Sequence, residues 1–211
     1  MNRREALKNI GLSAGYIATT PAIISILQSC TSEIKLNWVP ELLSEDEAKV
    51  LDQLVDLIIP ETDIPGAKSL NVAMFTEKYM SQVAKEEEAS MFKKIAGIVL
   101  NELGVNEDKP VKKIKIEEYD ALLAKYLKSS KEQQKAYQEE MEHMKSPDDF
   151  DAISKDAKIF LFLSAIRDLS IWGFKTSKEI GENVLAYAPV PGQQIGCDSL
   201  EKLTGGKAWS L

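Results

Sequence analysis

Ile159-Phe160-Leu161-Phe162-Leu163-Ser164-Ala165-Ile166-Arg167-Asp168-Leu169-Ser170-Ile171-Trp172-Gly173-Phe174 is apolar on nearly every side, interrupted only by Arg167, Asp168 and two serines. Helical spacing suits it, and a helix apolar on most of its faces is buried in the middle of a bundle. The stretch therefore predicts an all-α fold with its other helices arranged around this one.

Working outward, the neighbouring segments carry the one-sided stripes such an arrangement requires. Ser44 and Glu47 have the spacing of a capping box, and Leu51, Leu54, Val55 and Ile58 follow on one face until Pro60 stops the helix. Pro60-Glu61-Thr62-Asp63-Ile64-Pro65-Gly66 is a turn-rich link, with Gly66 available where a positive φ is needed. A helix from about Val72 to Ala84 comes next, and then a stripe of Phe92, Ile95, Ala96, Val99 and Leu103 ended by Gly104 as C-cap glycine. Tyr119, Leu122, Leu123, Tyr126 and Leu127 make a fourth stripe. From Lys131 to Met144 only Tyr137, Met141 and Met144 stand among many charges, which predicts a surface helix with a narrow buried edge. After the central stretch, Thr176 and Glu179 repeat the capping-box spacing ahead of a last helix to about Tyr187. The expected architecture is a bundle of about six to seven helices over residues 44–211, with an irregular tail at 188–211 whose Pro189, Pro191, Gly192, Gly196, Gly205 and Gly206 rule out a long helix.

The first 29 residues read as an address. Arg3 and Arg4 precede a run without charge from Asn9 to Ser29, weakened in hydrophobicity by Gly11, Gly15, Thr19, Thr20 and Pro21. A basic start before a mildly apolar region is built like a twin-arginine export signal, which carries folded cargo. A retained membrane anchor is the competing reading. Ile26-Leu27-Gln28-Ser29-Cys30 looks like a bacterial lipobox, so cleavage before Cys30 and acylation of its thiol are expected, and residues 30–43 become a tether. Each buried methylene of such an anchor contributes about 0.8 kcal/mol. The alternative is an ordinary signal peptide cleaved nearby, with Cys30 free or paired to Cys197. Either way the chain is expected to be exported, to the periplasm or cell envelope.

Charge and composition exclude several functions. The 211 residues hold 26 basic and 33 acidic side chains, a net charge of -7, which argues against nucleic acid and against anionic lipid headgroups. Two cysteines cannot make a zinc ribbon and lack the spacing that attaches haem. Glu140-Met141-Glu142-His143 has the spacing of half a di-iron site, but His143 is the only histidine of the chain and sits on its most polar helix, so it reads as a solvated residue. The same count removes the usual serine and cysteine nucleophile triads unless His143 serves. Gly205-Gly206-Lys207 lacks the rest of a phosphate loop, Asp148, Asp149 and Asp151 lack the alternation of a calcium loop, and no dinucleotide-binding glycine pattern follows a strand. No catalytic residue, metal site or cofactor is assigned to this chain. Trp172, within the central helix, reads first as core, and Trp209, in the glycine-rich tail, as an anchor of that tail to a surface.

Several motifs recur together. Trp172-Gly173-Phe174, Thr176-Ser177-Lys178-Glu179-Ile180-Gly181, Leu185-Ala186-Tyr187, Pro191-Gly192, Gly196-Cys197 and Gly206-Lys207-Ala208-Trp209 resemble, in this order, the C-terminal signature of the gluconate 2-dehydrogenase subunit 3 family. Asp56-Leu57-Ile58-Ile59-Pro60-Glu61-Thr62 and Pro65-Gly66-Ala67 resemble that family's first helix and turn. The chain departs from the pattern at Lys175 and at Gln193 or Gln194, where the family usually has aromatic residues. The resemblance implies a non-catalytic small subunit of a membrane-associated sugar or sugar-acid dehydrogenase. Its large partner would carry FAD and be of the glucose-methanol-choline type, often with a haem c cytochrome as third subunit. It also implies a role in folding, export and stability of the flavin subunit, and makes Trp172, Phe174, Thr176, Ser177, Pro191, Gly192, Cys197 and Trp209 the candidate partner interface. A stand-alone lipid-anchored module that binds a small ligand between its helices is the alternative, and an enzyme built on a pair of carboxylates is a third reading.

Overall fold

The computed structural model describes residues 35–143, 147–190, 192, 195 and 197–210. The chain divides into residues 1–35 and 36–211, and all elements below belong to the second unit. Six long helices follow one another: α1 Glu45–Ile58, α2 Val72–Gln82, α3 Glu86–Glu102, α4 Ile116–Leu127, α5 Lys131–Glu142 and α6 Lys155–Thr176, with a short α7 at Leu200–Thr204. Two 3-10 turns, Val111–Lys113 and Pro147–Ala152, and a π-helical turn, Glu179–Val184, complete the set. There is no strand among the described residues, so the all-α bundle expected from the sequence is the fold.

Helix α6 is the axis, packing against each of the other five long helices. Its buried residues, among them Ala157, Ile159, Phe160, Phe162, Leu163, Ile166, Ser170 and Gly173, cover more than one face. Each large aliphatic or aromatic side chain so buried contributes about 1.5–3 kcal/mol, which makes this helix the largest single source of hydrophobic stabilisation. Ring contacts tie it to its neighbours, Phe162 to Phe92 at 4.6 Å and Phe160 to Tyr137 at 5.3 Å. That second contact explains α5: the helix buries no residue fully, and it is held through the ring of Tyr137, the narrow edge that its composition predicts.

Helix boundaries follow their caps. Ser44 Oγ accepts from the Glu47 amide at 3.3 Å while the Glu47 carboxylate accepts from the Ser44 amide at 2.7 Å, the reciprocal pair expected at the start of α1. Such a cap stabilises by about 1 kcal/mol. Gly104, with φ of 72°, ends α3 in the left-handed conformation that glycine adopts without steric cost.

Two local expectations are corrected. Gly66 does not take a positive φ; a Cβ there would lie 2.5 Å from the Glu61 amide nitrogen, so glycine is required by the close approach of two backbone segments. The capping box at Thr176 and Glu179 does not form. Helix α6 continues through Thr176, whose hydroxyl donates to the Trp172 carbonyl at 2.8 Å, and the last helix is replaced by the six-residue π-turn. Thr176 bonds backward along its own helix because α6 has not yet ended there.

Ahead of α1, residues 41–43 are held against the body. The Glu77 carboxylate on α2 is completely buried, and its Oε1 accepts from the amides of Glu41 at 2.7 Å, Leu42 at 2.6 Å and Leu43 at 3.4 Å. Leu43 is buried, and the Glu41 carboxylate accepts from Gln82 at 2.8 Å. The last residues of the segment that composition reads as a tether thus form a bent strap held against α2.

The tail also returns to the body. Ala186 donates to the Ala208 carbonyl at 2.9 Å and accepts from the Ser210 amide at 2.9 Å, a single parallel bridge that closes residues 187–207 into a loop. Main-chain bonds attach this tail; the Trp209 ring remains half exposed.

Candidate functional site

The sequence-predicted interface residues fall at the end of α6 and along the tail. Arg3, Arg4, Cys30 and Pro191 lie outside the described residues. Trp172 is not core: it is 44% exposed, on the outer side of the last turns of α6. Its ring is set between two side chains of α2, Phe75 at 5.2 Å and Tyr79 at 5.5 Å, both edge-on. Edge-to-face pairs of this kind contribute about 0.5–1.5 kcal/mol beyond their burial. Gly173 makes the arrangement reachable, because a Cβ there would lie 2.5 Å from the Phe75 ring.

The following residues turn the chain. Phe174 is half-buried, and its carbonyl accepts from both the amide and the hydroxyl of Ser177, at 3.2 and 2.8 Å. Gly181, in the π-turn, is buried, and a Cβ there would meet Ser210 Oγ at 3.1 Å. The tail's return is therefore seated against the turn that ends α6. Gly192 (φ 55°) and Cys197 are exposed.

Large apolar side chains are frequent among the exposed residues of this stretch. Among the described residues eleven large apolar side chains are exposed, and seven of them, Ile171, Trp172, Tyr187, Val190, Ile195, Leu200 and Trp209, come from this one C-terminal stretch. The stretch is also electrically distinct. Residues 171–211 carry four basic and four acidic side chains, whereas residues 36–170 carry 18 and 27. All of the excess negative charge of the domain resides on the body.

Phe75 and Tyr79 are the residues that sequence reasoning missed. Their four-residue spacing puts both rings on one flank of α2, beside the buried Val72, Ala73, Thr76 and Met80, but it does not show that α6 brings Trp172 to them.

An open hollow of about 430 Å³ lies between α3 and α4, with Glu102, Lys109, Glu118 and Lys125 at its rim. Its charges are already paired. Glu102 binds Lys155 at 2.7 Å and Lys125 at 2.9 Å, and Glu118 binds Lys109. These hydrogen bonds hold both carboxyls below the usual glutamate range, led by Lys155 for Glu102 and Lys109 for Glu118. An acid and base pair needs one carboxyl pushed up, so these two stabilise the α3–α4–α6 junction and are not poised to donate a proton. Tyr126, whose burial pushes its phenol up to about 12, donates to Asp156 at 2.7 Å in the same network. His143 is exposed at the end of α5, and the Glu140 carboxylate accepts from the Ser154 amide at 3.0 Å. No group of described residues could hold a metal ion, and no helix among them is long and apolar enough to cross a membrane.

Searches of curated proteins and of solved structures return no match. The family model of gluconate 2-dehydrogenase subunit 3 matches residues 45–192, from the first turn of α1 through α6 and the π-turn into the tail. That match spans more than half of the chain and includes Trp172 and its platform on α2. The chain belongs to the gluconate 2-dehydrogenase subunit 3 family.

Proposed function

We propose that this chain is the small, non-catalytic subunit of a membrane-associated FAD-dependent sugar or sugar-acid dehydrogenase of the glucose-methanol-choline type. In this reading it is exported through its twin-arginine signal and anchored by lipid at Cys30. It supports the folding, export and stability of the flavin subunit, and a haem c cytochrome takes the electrons as third subunit. Family membership supplies the association with a dehydrogenase. The observation that supports the subunit role is the neutral C-terminal stretch with its seven exposed apolar side chains, a composition suited to protein contact. A module that binds a small ligand by itself would need an enclosed pocket with convergent polar groups, whereas the hollow between α3 and α4 is open with its charges mutually paired.

Replacing Arg3 and Arg4 by lysine in the native cell tests the export part. The expected result is that this chain and the flavin subunit both remain in the cytoplasm. Normal export of the flavin subunit in that variant would refute the carrier role.

A further inference from the structure

The aromatic cluster around Trp172 extends beyond the C-terminal motifs to Phe75 and Tyr79 on α2. Resting on the accessory-subunit reading above, we propose that Phe75, Tyr79, Trp172 and Trp209 form the contact with the flavin subunit. The complementary surface is an apolar recess with a basic rim.

Three observations lead to this. First, the Trp172 ring is held in T-shaped contacts with Phe75 and Tyr79, and the residue stays 44% exposed. An aromatic side chain fixed in place before contact loses little conformational freedom on binding, the property of residues that dominate interface energy. Second, Trp209 is 49% exposed while the backbone on either side of it is fixed by main-chain bonds to Ala186, so the tail holds this residue in place with half of it open to contact. Third, charge selects the occupant. Residues 171–211 are neutral beside a body of 18 basic and 27 acidic side chains. A second copy of the chain would bring two acidic bodies together across this face, and an anionic lipid surface would meet the same repulsion. A protein whose recess takes up the aromatic rings and whose surrounding surface is basic gains from both features.

The test uses the full chain with an affinity tag, expressed in its native cell and solubilised in mild detergent. The molar ratio of flavin, read by absorbance, to tagged chain is compared for the wild type, Trp172→Ala, Tyr79→Ala, Trp209→Ala and a remote control, Glu132→Ala at the exposed start of α5. Thermal melting by circular dichroism checks each fold. Trp209→Ala guards against misfolding, because the bridge that secures the tail runs through the backbone of Ala208 and Ser210. The expected result is a loss of captured flavoprotein of about 30-fold for Trp172→Ala, a clear loss for Tyr79→Ala and Trp209→Ala, none for Glu132→Ala, and weaker capture as salt rises. Wild-type capture that survives all three aromatic substitutions places the contact elsewhere and overturns this proposal while the accessory-subunit reading stands. A homodimer abolished by Trp172→Ala also overturns it, in favour of a second copy. Absence of any flavoprotein with the wild type removes the reading on which it rests.

Discussion

Glu77→Ala should release the strap and lower stability measurably. The two short bonds from the Glu41 and Leu42 amides, at 2.7 and 2.6 Å, run to one carboxylate oxygen that is completely buried. Hydrogen bonds to a charged group contribute about 1.5–3 kcal/mol each, so the pair contributes about 3–6 kcal/mol. Against this stands the cost of burying a carboxylate whose Oε2 has no hydrogen-bond partner, which alanine removes. A net loss of about 2–4 kcal/mol results, and for a domain of this size each kcal/mol lowers Tm by about 2–4 °C. The expected drop is therefore about 4–16 °C by circular dichroism. Amide hydrogen exchange at Glu41, Leu42 and Leu43 should accelerate well beyond the change in global stability. Glu77→Gln keeps an acceptor for the same amides without the charge, and should lose about half as much. A Tm within about 1 °C of wild type for Glu77→Ala, with those amides still protected, would show that the strap is held by something other than this carboxylate.

Two carboxylates should give opposite pH signatures. Burial is the largest influence on Asp52 and, with Asp56, raises its carboxyl above the ordinary 3.8 against the opposing effect of Lys68. The folded state therefore disfavours the ionised form; Asp52→Asn should raise Tm at pH 7, and the gain should disappear as pH falls below about 4. Glu102 is shifted the other way by Lys155 and Lys125, so its stabilisation is present above its ordinary value of 4.5 and lost as pH falls through the lower folded value. Glu102→Gln should lower Tm at pH 7, and its difference from wild type should shrink as pH falls below 4.5. Gly173→Ala should cost about 1–3 kcal/mol by forcing the Phe75 ring away from α6. In a Phe75→Leu background most of that cost should vanish in a urea-melt double-mutant cycle, and equal costs in both backgrounds would separate the two residues.

The bundle was legible where one interaction dominates. The all-round apolar run of α6, the reciprocal box at Ser44 and Glu47 and the glycine after α3 are local patterns with few competing solutions, and each takes the form that its sequence predicts. Thr176 and Glu179 have the same spacing as Ser44 and Glu47 and give a different result. Spacing does not reveal that the preceding helix is still running, and Thr176 bonds back to Trp172. Gly66 shows the same limit, since a close approach to Glu61 depends on where the chain goes next. Of the proposed interface, Trp172 and Trp209 were visible in the motifs of the C-terminal stretch. Phe75 and Tyr79 meet Trp172 only through the packing of α2 on α6, a contact nearly 100 residues apart in sequence. Glu77 was equally hidden, because an acidic residue on an amphipathic helix reads as solvated until a returning segment supplies its amides.

The accessory-subunit account is tested most directly by purifying the tagged full chain from its native membranes in mild detergent, then recording flavin absorbance and intact mass on the same sample. The account predicts a stoichiometric flavoprotein dehydrogenase together with a chain that begins at Cys30 and carries the added mass of acyl groups. Recovery of this chain alone, without flavin or a large partner, would contradict it.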